Sequence, residues 1–416
     1  MRLSKRCGLL GRKLGHSYSP MIHDAFNLGY SYEIFEKEPE ELPEFLQNGN
    51  FHGVNVTIPY KKDVIPFCSE LSQTARAIGS VNTLLRLPGG GLFGDNTDGY
   101  GFLAMLEHSG IDVSGKKVLI LGSGGSCLTV CSVLKQQNAG EVIVVSRDGE
   151  NNYSNLHKHS DAQVIVNTTP VGMYPNVGES SVAIEIFPKL EGILDLIYNP
   201  AKTKLILNAN ARGITCINGL IMLIGQAAAA AKIFAGTDNP PELQNARAMI
   251  RKNTENIILI GMPGCGKTTV GKILAQKLNK NFIDADAEIE SDAGRVIPDI
   301  FQSEGEKGFR IRESAVLQEF GKQSNLVIST GGGCVTREEN FNYLSQNGMI
   351  VFLERDIDSL EKKDRPLSKA MNLHDMYKIR QPLYKSFANA VISNNTQPEE
   401  TAEKIKEVFC HEITNN

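Results

Sequence analysis

Long hydrophobic runs are scarce in this sequence of 416 residues. The N-terminal stretch MRLSKRCGLLGRKLG is basic, but it contains no apolar run of the length that a signal peptide needs. The most apolar later stretch, GLIMLIGQAAAAAKIF, is interrupted by Gly225 and Gln226 and is too short to span a bilayer. We therefore expect no membrane partner and a cytoplasmic location.

The sequence also lacks a strong charge of one sign and any cluster of cysteines. It has 43 Lys and Arg against 47 Asp and Glu, a net charge of −4, which argues against a nucleic-acid-binding protein. Its eight cysteines form no CxxC pair and no Cys/His cluster. This spacing argues against a zinc site or a disulfide framework, and we expect reduced thiols.

Two segments that are present share the same order of elements. KKVLILGSGGSCLTVCSVL (116–134) and NIILIGMPGCGKTTVGKILAQKL (256–278) each show a β-rich apolar run, then glycines, then a helical pattern. Each predicts a strand, a phosphate-binding loop and a helix. The polar segment between them, AGTDNPPELQNARAMIRKNTE (235–255), contains paired prolines. We predict that it ends one unit and connects to the next, with a domain boundary near residue 250.

The region ahead of the first glycine loop alternates strand and helix patterns. SYEIFE, GVNVTIP and AIGSVNTLLRL read as strands, and SPMIHDAFNLGY reads as a helix. This alternation predicts an α/β lobe. The first half of the chain is therefore expected to pair a substrate lobe with a nucleotide lobe, an arrangement that commonly binds a small ligand in a cleft.

The first glycine loop, Gly122 to Ser126, has the composition of a dinucleotide-binding turn, although Cys127 replaces the third glycine of the usual pattern. The next strand pattern, EVIVVSR, ends at Ser146 and Arg147. An Arg at that strand end accommodates a ribose 2′-phosphate, whereas a carboxylate favours a free 2′-hydroxyl. Arg147 therefore points to NADP, although Asp148 follows it directly.

A nicotinamide enzyme needs a proton donor beside the carbonyl that receives hydride. NVTIPYKKD presents Lys61 after a strand and a Pro turn, and GDNTDGYGF presents Asp98. A Lys next to a carboxylate can hold and relay a proton. The remaining candidates share hydroxyl or amide groups suited to a small, highly hydroxylated acid, and they are Ser17, Ser19, Thr57 and Asn82.

At this point the sequence resembles the shikimate dehydrogenase family. The motifs are HSYSP, NVTIPYK, SVNTL, GDNTDG, GSGGS, NTTPVGMYP, DLIYNP and NGLIMLIGQAA, in that order, within residues 3–240. The resemblance implies NADPH-dependent reduction of 3-dehydroshikimate to shikimate, with Lys61 and Asp98 as the catalytic pair. It assigns substrate binding to Ser17, Ser19, Thr57, Asn82, Asp98, Tyr198 and Gln226. It assigns cofactor binding to Gly122, Ser123, Gly124, Gly125, Ser126, Ser146, Arg147, Leu196 and Gly219.

The second glycine loop, Gly261 to Thr268, fits the P-loop pattern GxxxxGK[ST] between an apolar strand and an amphipathic helix. Its backbone is expected to cradle phosphates, with Lys267 neutralising the transferring phosphoryl group and the Thr268 hydroxyl binding Mg²⁺. This predicts a nucleoside triphosphate as ligand.

The residues that follow supply candidates for the phosphate acceptor. Asp284 and Asp286 in FIDADAEIE are predicted to share one side of a strand end, one to help hold Mg²⁺ and the other to orient or deprotonate a hydroxyl. Arg310 in GEKGFRIRE, one turn from Glu313, can fork onto a carboxylate. Further candidates are Gly331, Gly332, Gly333, Arg365 and Arg380.

This second set resembles the shikimate kinase family, from residue 256 to the C-terminus, in its P-loop, DxD, GEKGFRIRE, GGG, RPL and RQPLY motifs. The resemblance implies ATP-dependent phosphorylation of the shikimate 3-hydroxyl, with Arg365 on a lid over the ATP phosphates. It assigns shikimate binding to Asp286, Arg310, Gly332 and Arg380. It assigns catalysis to Lys267, Asp286 and Arg365, nucleotide binding to Gly264, Cys265, Gly266, Thr268 and Thr269, and the metal to Thr268 and Asp284.

The two resemblances together predict a bifunctional enzyme of the shikimate pathway, which leads to chorismate and the aromatic amino acids. The expected fold is α/β throughout. Domain 1–250 would combine a substrate lobe (about 1–100 with helices about 220–245) and a Rossmann-type NADP lobe (about 101–219), and 256–416 would be a P-loop domain like the nucleoside monophosphate kinases. One alternative is an NAD-dependent quinate or shikimate dehydrogenase, and another is a kinase-like domain that only senses ligand. A homo-oligomer is left open.

Overall fold

The computed structural model describes residues 5–15, 17–360 and 372–415. The chain forms two compact units. The first comprises residues up to Val171, with Ser180–Tyr198 and Asn208–Ile250. The second comprises Gly172–Glu179, Asn199–Leu207 and the chain from Arg251 onward. The domain limits 1–250 and 256–416 stay a prediction.

The N-terminal part of the first unit contains a six-stranded mixed sheet with the strand order β2-β1-β3-β5-β6-β4. Its strands are β1 (Lys5–Gly11), β2 (Tyr30–Glu36), β3 (Gly53–Val56), β4 (Glu70–Leu71), β5 (Thr83–Arg86) and β6 (Leu92–Asp95). Its helices are α1 (Ser19–Phe26), α2 (Leu42–Asn48) and α3 (Gln73–Ile78). β1 pairs in parallel with β2 and β3, whereas β5 is antiparallel to β3 and β6. These pairings bring the carboxyl ends of β3 and β6 next to the start of β5.

The second sheet of this unit is parallel, with the order β11-β10-β9-β7-β8. Its strands are β7 (Lys117–Leu121), β8 (Glu141–Val145), β9 (Val164–Asn167), β10 (Gly192–Asp195) and β11 (Thr215–Asn218). The accompanying helices are α4 (Asp98–Ser109), α5 (Gly125–Gln136), α6 (Lys204–Ala211), α7 (Leu220–Ala235) and α8 (Leu243–Thr254). The strand order reverses at β7, whose carboxyl end is where a doubly wound sheet binds a dinucleotide.

The predicted connector is partly helical. α8 occupies most of its second half, and Ala246 and Ile250 are buried against apolar residues of α1 and α7. The paired prolines, Pro240 and Pro241, precede this helix. The high polarity of the segment belongs to the outer face of an amphipathic helix, because one buried stripe is enough to dock it.

The second unit is built on a five-stranded parallel sheet of order β13-β14-β12-β15-β16. Its strands are β12 (Asn256–Ile260), β13 (Asn281–Asp284), β14 (Leu326–Ser329), β15 (Gly348–Glu354) and β16 (Ala390–Ser393). Its helices are α9 (Lys267–Leu278), α10 (Ala285–Ala293), α11 (Ile297–Gly321), α12 (Glu339–Ser345), α13 (Leu373–Phe387) and α14 (Pro398–Asn415). All five residues of β12 are buried, as expected for a central strand covered on both faces.

These sheets confirm the predicted α/β fold class with its Rossmann-type and P-loop parts. Among the described helices, none has the length and apolarity needed to cross a membrane.

Two candidate active sites

Lys61 and Asp98 form a direct ion pair in the first unit. Lys61 Nζ lies 2.6 Å from Asp98 Oδ2, and the side chains are 29% and 14% exposed. Lys61 stands in the turn that follows β3, and Asp98 is the first residue of α4. The pair is therefore screened from most water while the amine remains accessible to a ligand.

Asn82 completes this group from the start of β5. Its Nδ2 donates to Asp98 Oδ1 at 2.8 Å, and its Oδ1 accepts from the backbone N–H of Thr97 at 2.8 Å. A backbone N–H can only donate, so this contact fixes which end of the amide faces Asp98. Both carboxylate oxygens of Asp98 thus accept hydrogen bonds, one from Asn82 and one from Lys61.

The two serines of the N-terminal motif lie in and after a turn. The Ser17 N–H donates to Leu14 O at 3.1 Å, and Ser17 Oγ accepts from the Ser19 N–H at 3.2 Å. Ser19 is the first residue of α1 and Pro20 follows it, which suits the first turn of a helix. Ser17 therefore stands at the turn and Ser19 begins the helix, where it is buried.

The other substrate candidates come from separate elements. Thr57 directly follows β3, and its N–H donates to Leu10 O at 2.9 Å. Gln226 lies on α7, where its Nε2 donates to Leu223 O at 3.0 Å. The Tyr198 ring packs 5.3 Å from the ring of Tyr18, and burial raises the pKa of Tyr198.

The first glycine loop lies at the carboxyl end of β7. Gly122 has φ +100°, which only glycine adopts readily, and its N–H donates to Val145 O at 2.8 Å. Gly124 precedes α5, and Gly125 begins it with Ser123 and Ser126 alongside. The positive end of α5 therefore faces the turn, as a pyrophosphate requires.

The remaining cofactor candidates lie along the same sheet edge. Ser146 and Arg147 follow β8, whereas Leu196 follows β10 and Gly219 precedes α7. A Cβ at Gly219 would lie 2.0 Å from Leu196 O, so these two segments pass in close backbone contact. This arrangement fits NADP. Tyr153, which sequence reasoning missed, is half-buried beside Arg147, whose charge opposes the rise in the Tyr153 pKa that burial causes.

The second site is a cavity of about 1030 Å³ over the carboxyl ends of β12 and β14. Lys267 lines it and is 7% exposed, with Nζ 2.9 Å from Gly261 O and 3.0 Å from Met262 O. The predicted residues that line this cavity are Gly264, Gly266, Lys267, Thr268, Thr269, Asp284, Asp286 and Gly332. The predicted Cys265 does not line the cavity, and its side chain is fully buried.

The oxygen atoms around Thr268 fit a magnesium ion. Thr268 Oγ1 donates to Asp284 Oδ2 at 2.7 Å, and Ser329 Oγ lies 3.4 Å from the same hydroxyl. Mg²⁺ prefers oxygen ligands and keeps several waters, so a hydroxyl and one carboxylate suffice.

The prediction that Asp284 and Asp286 share one side of a strand is wrong. β13 ends at Asp284 and α10 begins at Ala285, which places Asp286 in the first turn of the helix. Asp284 Oδ1 accepts from the Asp286 N–H at 3.2 Å and so caps the helix. Capping overrides the alternation, although both carboxylates still line the cavity.

Arg310 and Arg380 lie on either side of the GGG loop. Arg310 Nη1 donates to Glu313 Oε2 at 2.7 Å, and Glu313 is fully buried. Burial raises the pKa of Glu313, and the Arg310 guanidinium opposes that rise. Arg380 Nη1 donates to Gly332 O at 3.1 Å, and the Tyr384 hydroxyl donates to the same carbonyl.

The cavity is also lined by residues that sequence reasoning missed. They are Ser329, Thr330, Arg355, Asn394, Asn395, Thr396, Gln397, Pro398 and Glu400. Arg355 directly follows β15, at the same sheet edge as the P-loop. Its position after an apolar strand pattern was the feature of the sequence from which it could have been predicted. The predicted lid residue Arg365 lies outside the described residues.

Comparison with known proteins relates the two parts of the chain to two families. Residues 9–84 match the family model described as the shikimate dehydrogenase substrate binding domain, and residues 263–410 match the shikimate kinase model. A shikimate dehydrogenase (NADP(+)) of Clostridium perfringens is 36% identical over 252 residues, 56% of this chain and 93% of that protein.

Two solved structures extend the comparison. The shikimate 5-dehydrogenase of Thermus thermophilus, crystallised with NADP(H) and shikimate, is 32% identical with TM-score 0.55 and covers 60% of this chain and 99% of its own. A chorismate mutase/shikimate 5-dehydrogenase fusion protein from Clostridium acetobutylicum is 36% identical with TM-score 0.54. The match covers 57% of this chain and 93% of that protein's chain. The chain belongs to the shikimate dehydrogenase family, and it carries a shikimate kinase domain after the dehydrogenase.

Proposed function

We propose that this chain catalyses two consecutive steps of the shikimate pathway. The first is NADPH-dependent reduction of 3-dehydroshikimate to shikimate, and the second is ATP-dependent phosphorylation of the shikimate 3-hydroxyl. The observation that carries the proposal is the 2.6 Å pair of Lys61 and Asp98 in a chain whose second unit has a P-loop cavity. The product of the first reaction is the acceptor of the second.

In the dehydrogenase, Lys61 donates a proton to the carbonyl oxygen of the substrate as the carbonyl carbon is reduced. Bound NADPH supplies the hydride. Asp98 holds the Lys61 amine in place through their ion pair. Ser17 and Ser19 hold the substrate carboxylate, and Thr57, Asn82, Tyr198 and Gln226 contact the rest of the ring acid.

In the kinase, Arg310 and Arg380 bind the carboxylate of shikimate, and Asp286 accepts the proton of the attacking hydroxyl. Lys267 neutralises charge on the transferring phosphoryl group, which is where most of the catalytic effect of such sites arises. Thr268 and Asp284 would hold Mg²⁺, which when bound offsets phosphate charge. The free thiols of the eight cysteines fit the cytoplasm, the proposed location.

Crossed variants test the two assignments in one protein. We expect Lys61→Ala to abolish NADPH oxidation with 3-dehydroshikimate while ATP-dependent phosphorylation of shikimate continues, and Lys267→Ala to do the reverse. The activity that each variant retains shows that the protein sample was intact when the other activity was lost. Assays with quinate and with NADH, run in parallel, separate the proposal from a quinate or NAD enzyme. Retention of both activities in both variants would refute the site assignments.

A further inference from the structure

A chain of buried hydrogen bonds that the mechanism above does not use leads to Asp98 through the first sheet. The Tyr32 hydroxyl on β2 lies 2.8 Å from Asn55 Oδ1 on β3. Asn55 Nδ2 lies 3.2 Å from Thr83 Oγ1 on β5, and Thr83 Oγ1 lies 2.9 Å from Asn82 Oδ1. Asn82 in turn reaches Asp98.

In this series of hydrogen bonds, each donor lies on the side away from Asp98 and donates to the next residue toward it. At one end, Asp98 only accepts, so Asn82 presents Nδ2 to it and turns Oδ1 toward Thr83 and the Thr97 N–H. The Thr83 hydroxyl therefore donates to Asn82, which leaves its oxygen free to accept from Asn55 Nδ2.

The other end fits the same direction, because Asn55 presents Nδ2 to Thr83 and therefore turns Oδ1 toward the Tyr32 hydroxyl. Burial raises the pKa of Tyr32 well above its usual value, so the phenol stays protonated and donates to Asn55 Oδ1. Aligned hydrogen bonds in a medium of low polarity strengthen one another, and this series ends on an anion.

The three middle members of this series, Asn55, Asn82 and Thr83, are too deeply buried to find alternative partners in water, whereas Tyr32 is partly exposed. Asn55 is 4% exposed, Asn82 2% and Thr83 1%. A buried polar group that loses its partner keeps the full cost of its desolvation. If the Asn82 amide rotated, its Oδ1 would face the Asp98 carboxylate and two acceptors would repel each other. The Thr83 hydroxyl and the Thr97 N–H prevent that rotation.

We propose that Tyr32, Asn55 and Thr83 are positioning residues for the reduction step, which hold Asn82 so that Asp98 stays oriented toward Lys61. The inference rests on the proposed function of Lys61 and Asp98. None of the three need touch substrate, since Thr83 and Asn55 act through Asn82; Tyr32 acts through Asn55 and also hydrogen-bonds Ser19.

The test replaces single hydroxyl groups. Thr83→Val keeps the shape of the side chain, and we expect the dehydrogenase kcat to fall about fivefold to tenfold, as for one lost buried hydrogen bond. The KM for NADPH should change less than about twofold, because the cofactor turn is untouched. Thr83→Ser restores the hydroxyl and should recover most of kcat. Tyr32→Phe, one link further away, should lower kcat by a smaller factor of about threefold.

Thr129→Val is the matched control, because Thr129 is also 1% exposed but lies on α5, outside the chain of hydrogen bonds. Activities are expressed per NADPH-binding site, so that loss of folded protein does not count as loss of kcat. Equal kcat values for Thr83→Val and Thr129→Val, or failure of Thr83→Ser to recover activity, would overturn the inference. If Lys61→Ala retained activity, the proposed function itself would fail, which is a separate outcome.

Discussion

At the scale of single residues, the two carboxylate oxygens of Asp98 bind different partners in the first site. Oδ1 accepts from Asn82 and Oδ2 from Lys61, so Asp98 is anchored as an acceptor, and in the proposed reduction the transferred proton comes from Lys61. A neutral amide at position 98 would keep the size of the side chain and lose the charge that holds the amine.

Asp98→Asn should therefore lower the dehydrogenase kcat by about 10²–10⁴-fold, the usual contribution of a general acid–base group. The NADPH dissociation constant, measured by fluorescence titration, should stay unchanged because residue 98 lies outside the glycine turn. Phosphorylation of shikimate by the same sample checks its integrity. A kcat within tenfold of the parent would contradict this role.

Arg355 is a lining residue of the second cavity that the motifs of the sequence did not identify. Its Nη1 lies 3.8 Å from where a Cβ on Gly266 of the P-loop would stand, and its Nε is buried without a hydrogen-bond partner among the described residues. A guanidinium at this place offers both charge to phosphates and a flat face to a base.

We expect Arg355→Ala to raise the KM for ATP about tenfold, the size of one lost charge-assisted contact. The KM for shikimate should be unchanged, since Arg310 and Arg380 are intact. Arg337→Ala is the matched control, because that Arg pairs with Glu339 and does not line the cavity. Equal effects of the two substitutions on ATP would count against a contact from Arg355.

At the scale of elements, α1 carries a buried histidine behind the substrate serines. The His23 ring stacks on Tyr32 with centroids 3.8 Å apart, and His23 Nδ1 lies 2.7 Å from the Tyr30 hydroxyl. Burial lowers the pKa of His23 to about 3. The helix can therefore dock on the sheet only with a neutral imidazole.

This burial makes the first unit sensitive to acid. The unfolded chain protonates His23 near pH 6.5, whereas the folded chain resists protonation until about pH 3, so the stabilisation is complete above 6.5 and is lost as pH falls toward 3. Between pH 7.5 and 5, His23 should account for about 1–2 kcal/mol of the fall in the free energy of unfolding.

Urea unfolding followed by circular dichroism at both pH values measures this effect. His23→Phe should flatten the pH dependence, whereas substitution of the exposed His157 by Phe should leave it as in the parent. An unchanged slope in His23→Phe would show that other groups cause the acid sensitivity.

At the scale of the whole molecule, each unit contains a five-stranded parallel sheet with a glycine turn at the carboxyl end of a central strand, β7 in the first unit and β12 in the second. In the proposed function only the kinase step uses a metal, because the oxygen atoms that fit Mg²⁺, those of Thr268 and Asp284, lie in the second site.

Chelation of divalent metal with EDTA should therefore lower the kinase rate by about a hundredfold or more, because the phosphate charge is no longer offset. The dehydrogenase rate in the same sample should be unaffected. Restoring Mg²⁺ should restore phosphorylation, and a parallel loss of reductase activity would contradict this separation.

The sequence by itself determined what short segments dictate locally. The P-loop places Lys267 and Thr268 in the cavity because its glycines and the following helix form a structure that depends on few distant contacts. The motifs around Lys61 and Asp98 likewise predicted a pair that the structure shows in contact. The local pattern did not predict the position of Asp286, because a helix cap at Asp284 ends the strand before the alternation reaches it. It also did not predict helix α8, because the buried stripe of that helix is short.

Only the tertiary structure decided which distant residues meet. Tyr32, Asn55 and Thr83 lie on three different strands, and their hydrogen bonds depend on the register that joins β2, β3 and β5 through the sheet. Arg355 reaches the nucleotide end of the cavity because β15 lies beside β12. Strand order and register arise from burial over the whole unit, and no short segment carries that information.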